Sequence, residues 1–152
     1  MKKVEIALIA LTIIAVALRV SSVQGGEALS AVAFLLLALF YLLLSIPYFN
    51  GVSLRHTFQS AYYREREADA FRRFWAGAAG VIFFIVLMGI LFVLNYWKAA
   101  FFFWCMGMFF TVPVAALSLG KHMLQPSPFY KAIAIRAGIL LLAGIGIVAA
   151  EM

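Results

Sequence analysis

Apolar residues run through this chain in five long blocks, separated by short polar turns and by one longer polar stretch. The blocks cover about 4–20, 28–49, 74–96, 99–119 and 132–150. A helix rises about 1.5 Å per residue, so a block of roughly 20 residues matches the hydrocarbon thickness of a bilayer. The pattern predicts an all-α integral membrane protein with five transmembrane helices in one domain, 1–152. The first block follows Met1-Lys2-Lys3 as the apolar core of a secretory leader would. Arg19 interrupts it before any small-x-small cleavage site, so it reads as a retained span.

The long polar stretch, 50–73, holds five of the twelve basic residues and three of the six acidic ones. Leu54, Phe58, Ala61 or Tyr62, Ala68 and Phe71, followed by Trp75 just beyond it, recur at helical steps, which predicts an amphipathic cytoplasmic helix between spans two and three. Asp69 before Arg72 and Arg73, and Arg64 before Glu67, supply local charge pairs. Four basic and three acidic residues between Arg64 and Arg73 leave +1, too balanced for a nucleic-acid patch. Arg64, Arg66, Arg72 and Arg73 are instead candidates for contact with a partner or with lipid.

Composition strengthens the membrane reading. The chain is 66% hydrophobic and 12% charged, with a mean hydropathy of +1.07, which leaves too little polar surface for a soluble domain. Its net charge of +6 reads as basic residues retained on one membrane face. Five spans starting inside put Lys2, Lys3, Arg55, Arg64, Arg66, Arg72, Arg73, Lys121 and Lys131 on that face, with Arg136 snorkelling to it from the last span. Only Arg19 and Lys98 fall on the other. The bias predicts a multi-pass protein of the bacterial inner membrane, N-terminus cytoplasmic and C-terminus outside.

Candidate chemistry is sparse. Cys105 is the only cysteine, so no intrachain disulfide is possible. His56 and His122, the only histidines, fall on cytoplasmic loops, where neither can ligate a transmembrane haem. A metal centre would need them to converge with Glu65 and Glu67, and the reading expects no metal, no cofactor and no catalytic residue. Glu5 lies near the cytoplasmic end of the first span. Arg19 serves as an interfacial anchor or pairs with Glu27 across the first outer turn.

Small and aromatic residues carry more of the pattern. Ala76 with Gly80, and Ala134 with Gly138, are small-xxx-small pairs suited to close helix packing. Trp97, Phe102 and Trp104, within a dense run of aromatics, are candidates for contact with lipid or a partner helix. Pro113 falls within the fourth span, and Pro126 and Pro128 block helix continuation in a loop over 120–131. The stretches Ala17–Leu29 and Leu91–Phe103 match in role, each ending one span and starting the next, and suggest two hairpins repeated in the same orientation.

Leu18-Arg19, Gly25-Gly26, Leu36-Leu37-Ala38-Leu39-Phe40-Tyr41 and Phe49-Asn50-Gly51 form a sequence of features with a wider echo. Gly89-Ile90-Leu91-Phe92 with Trp97, and Phe129-Tyr130-Lys131 with Ile135-Arg136, extend it. On these residues the chain resembles small Bacteroidota membrane proteins related to the N-terminal membrane part of the gliding-motor subunit L. That subunit resembles a proton-conducting stator component that relies on an acid in its second span, and 28–49 contains none. The resemblance implies a membrane protein of related build rather than a motor. The expected function is that of a non-catalytic accessory or scaffold subunit, with membrane lipids, other membrane proteins or a second copy as partners, and no nucleic acid. The alternative is a small oligomeric transporter or ion-conducting protein.

Overall fold

The computed structural model describes residues 1–51, 70–98 and 100–151. These form five helices: α1 (Lys2–Val20), α2 (Gly26–Phe49), α3 (Ala70–Leu94), α4 (Ala100–Leu124) and α5 (Pro128–Glu151), and no strand occurs among the described residues. The expected amphipathic helix, with Arg64 and Arg66, lies outside the described residues apart from its last turn, which α3 absorbs. Four helices, α2 to α5, are long and apolar enough to cross a membrane. The remaining helix, α1, carries Lys2, Lys3, Glu5 and Arg19 within its 19 residues.

The helices alternate in direction. The starts of α1, α3 and α5 share one end of the bundle with the finishes of α2 and α4. Contacts at both ends require this: Glu5 meets Tyr48 and Arg136, while Arg19 meets Leu94 and Asn95. Lys2, Lys3, Arg72, Arg73, Lys121 and Lys131 gather at the first end, and Arg19 and Lys98 at the second. The third helix is central, packing on α2, α4 and α5, while α1 packs along α2 at the margin. Phe83, Val86 and Ile90 of α3 lie at the middle of the core with Ile133 of α5, all essentially without solvent contact.

Small residues set how closely these helices approach. A Cβ on Gly80 would run into the Ser45 side chain and lie 2.6 Å from the Tyr41 carbonyl, so α2 and α3 approach closely through the glycine there. Ala76, one turn earlier, is fully buried on the same face. The pair Ala134 and Gly138 does not play this part in α5: Gly138 faces open space, and Ile133, Ala137 and Leu140 point inward instead. This helix is apolar nearly all round, so its residue pattern gives little indication of which face turns inward.

Two helices outlast their apolar blocks. The fourth continues through Gly120, Lys121 and His122 to Leu124, where the expected loop should begin. A Cβ on Gly120 would meet nothing within 4 Å, and cations in a last turn are favoured by the helix dipole. The fifth starts at Pro128, because proline at a first helical position has no N–H that the helix needs. His122 Nδ1 accepts the Ser127 N–H at 3.1 Å and ties the remaining turn to α4.

The turns α1–α2 and α3–α4 are built alike. Ser22 at φ 54° and Tyr96 at φ 53° both adopt the left-handed conformation, 74 positions apart. The N–H of Val23 reaches the Leu18 carbonyl at 3.1 Å, as that of Trp97 reaches Phe92 at 3.2 Å. Next, the N–H of Gly26 bonds to Val23 and that of Ala100 to Trp97, both at 2.9 Å. This is the Schellman closure of a helix C-terminus, formed twice from unrelated side chains. The same offset pairs Ala17–Leu29 with Leu91–Phe103.

Candidate functional site

An acid in the apolar first helix needs a counter-charge if it is to be buried, and Glu5 has one from the far end of the chain. Glu5 is 3% exposed. Arg136, 131 positions later, donates Nε to Glu5 Oε1 at 2.6 Å and Nη2 to Glu5 Oε2 at 2.7 Å. Tyr41 donates its hydroxyl to Oε1 at 2.6 Å, and Tyr48 donates to Oε2. A carboxylate offers about four acceptor directions, and here all are taken. Arg136 Nη1 bonds to the Ala132 carbonyl at 2.9 Å, and its Nη2 also donates to the Tyr48 oxygen.

Helix periodicity assembles this group. Tyr41 and Tyr48 lie seven residues apart, two turns of α2, so both hydroxyls face α1. Aromatic rings wall the ion pair: Phe40 meets Tyr41 edge-on at 5.6 Å and Tyr48 at 5.5 Å, and the Arg136 guanidinium lies 5.1 Å from the Tyr48 ring centre. Burying two charges carries a large desolvation cost, offset only when the geometry is close and the remaining donors are satisfied. Both conditions hold here. Among the described residues no buried side-chain N or O lacks a hydrogen-bond partner.

The exposed side of Arg136 opens on a cavity of about 870 Å³ at the basic end of the bundle. Lys2, Arg72, Lys131 and Gln125 also line it, and its lining includes no acidic residue among those described. The Arg72 guanidinium rests 5.8 Å from the centre of the Phe129 ring. At the opposite end Arg19 does not pair with Glu27. It donates to the Leu94 carbonyl, to Asn95 Oδ1 at 3.2 Å and to Ser30 Oγ at 3.4 Å, because α2 passes close beside it and leaves the guanidinium facing α3.

The other expected contact residues divide. Trp97 and Phe102 are exposed, with Trp97 leaning on Phe92 at 4.6 Å between ring centres. Trp104 turns inward and donates its indole N–H to the Gly144 carbonyl at 3.2 Å, joining α4 to α5. Arg73 is half-buried at the basic end. No cluster of three metal-ligating side chains occurs among the described residues, and His56, Glu65 and Glu67 lie outside them.

Reasoning from sequence places Glu5 and Arg136 at one face but sends Arg136 out to the headgroups. The available signal was an acid and an arginine at similar depth in two apolar blocks, with two tyrosines at a seven-residue step. Comparison with family models, with curated proteins and with solved structures gives no match.

Proposed function

We propose that the chain is a five-span protein of the bacterial inner membrane, N-terminus cytoplasmic and C-terminus outside, that works by association as a non-catalytic accessory or scaffold subunit. The observation that carries this reading is the uneven cover of the helices. Half of the most apolar stretch of α3 is buried, against 22% for α4. The uncovered part of α4 presents Phe101, Phe102, Phe109, Phe110 and Leu117, a broad aromatic and aliphatic surface for lipid or a partner helix. Meanwhile every buried side-chain N or O among the described residues has a hydrogen-bond partner, as in a bundle built to hold its shape. The inward engagement of Glu5 and Arg19 supports counting α1 as a span despite its charges.

Native mass spectrometry from mild detergent tests this reading. Particles carrying a second membrane protein or further copies are expected. A strictly monomeric particle, with nothing co-purifying, counts against it.

A small oligomeric transporter is the second reading, favoured by the two hairpins with matching turns, since parallel repeats are a common transporter design. Flux assays in liposomes with protons, sodium and small anions decide it, and silence with all three removes it.

A further inference from the structure

Among the described residues, the cavity at the basic end gathers more positive charge than the ion pair offsets. Glu5 cancels Arg136, but no acidic side chain among the described residues lies within 4 Å of Lys2, Arg72 or Lys131. Three cations therefore face one cavity of about 870 Å³, all three on exposed residues. The start of α5 opens on it as well, where the N–H groups of Phe129 and Tyr130 have no acceptors within the helix. The dipole of a 24-residue helix adds positive potential at that point. Gln125 and Ser127 supply neutral polar lining.

We propose that this cavity binds a phosphate group, and that its source is the headgroup of an anionic phospholipid. Phosphate chemistry follows from the charge: several donors and three cations that no acid among the described residues pairs with suit an oxyanion with several acceptor oxygens. The lipid source follows from what lies next to the cavity. Ile135 lines it, and Ile139 and Leu142 continue from Ile135 at four- and three-residue steps as an exposed apolar stripe down α5. A headgroup held among Lys2, Arg72 and Lys131 leaves its acyl chains alongside that stripe. Basic pockets between helices on the cytoplasmic side are a known way to hold acidic headgroups. The lipid source rests on the membrane orientation proposed above, whereas the phosphate chemistry does not.

The test uses the full chain, delipidated in neutral detergent, and native mass spectrometry with phosphatidylglycerol or phosphatidylcholine of identical acyl chains. Inorganic phosphate and chloride at matched ionic strength serve as competitors. Wild type is expected to retain one phosphatidylglycerol in preference to phosphatidylcholine. Lys2→Gln, Arg72→Gln and Lys131→Gln should each lower retention about fivefold, and Lys98→Gln at the opposite end should leave it unchanged. Retention that phosphate does not displace supports the headgroup. Displacement by phosphate but not by chloride supports the same phosphate site and assigns it to the free anion. Equal retention of the two lipids overturns the proposal. So does a triple Gln variant, with an unaltered helical circular dichroism spectrum, that holds phosphatidylglycerol as wild type does.

Discussion

Glu5 and Arg136 join the first and last helices through two parallel hydrogen bonds of 2.6 and 2.7 Å, with Tyr41 and Tyr48 completing the carboxylate's shell. The pair is a fork-to-fork contact, the strongest geometry available to these side chains. Glu5→Gln leaves Arg136 as a half-buried cation without its counter-charge. It should lower stability by about 3 kcal/mol, the range for breaking a buried pair from one side. Removing both charges, as Glu5→Gln with Arg136→Met, should recover much of that loss. Unfolding in mixed detergent micelles reads both. A single Glu5→Gln variant as stable as wild type would show that the pair contributes nothing.

The two tyrosines should not be equivalent. Tyr41→Phe removes one hydrogen bond to Glu5, at a cost of about 1.5 kcal/mol for a bond to a charged group. Tyr48→Phe also deprives Arg136 of an acceptor, so it should cost more. The same unfolding assay ranks them, and the reverse order would contradict the arrangement of donors around Glu5.

Packing gives a second contrast, between Gly80 and Gly138. A methyl on Gly80 meets Ser45 and the Tyr41 backbone, so Gly80→Ala should destabilise by about 2 kcal/mol through overpacking. Gly138→Ala meets nothing within 4 Å and should stabilise by about 0.5 kcal/mol, because alanine is the better helix former. Thermal unfolding in detergent separates the two, and equal effects would contradict the different surroundings of these glycines.

These contrasts also mark how much of the fold was legible in the sequence. Long apolar blocks locate α2 to α5, because hydropathy is a local property and bilayer thickness sets its length. The matched turns were visible as matched roles, because each helix must stop and turn within a few residues. The phase of α5 was not visible: with apolar residues on nearly every side, Ala134 and Gly138 look as suitable for packing as Ala137 and Ile133. Helix ends at Leu124 and Pro128 were missed because hydropathy marks where an apolar block stops, not where backbone hydrogen bonding stops. The Glu5–Arg136 pair lay furthest from reach, since no local pattern links positions 131 apart.

Orientation has its own measurement. A periplasm-active reporter fused after Met152 should be active and one fused after Asn50 inactive. Lys98→Cys should react with an impermeant thiol reagent added outside intact cells, and Lys131→Cys should react only after the cells are opened. An inactive fusion at Met152 would break the arrangement of five spans, and α1 would then be the span to discard, because four of its residues are charged.

The opposite end of the bundle turns on Arg19. It bonds to the Leu94 carbonyl, Asn95 and Ser30, so it closes the finish of α3 and ties one hairpin to the other. Leu94 lies in the last turn, where carbonyls lack intrahelical donors and a cation is favoured by the dipole. Arg19→Ala should therefore cost about 2 kcal/mol, since it leaves several acceptors without their donor at once. Glu27→Gln should change stability by less than about 0.5 kcal/mol, as for a surface substitution away from any contact. If the carboxylate of Glu27 were what holds Arg19, the two variants would weaken the protein alike and their effects would not add in the double variant. Additive effects, with the loss confined to Arg19, are expected from a guanidinium that serves α3 rather than its own hairpin.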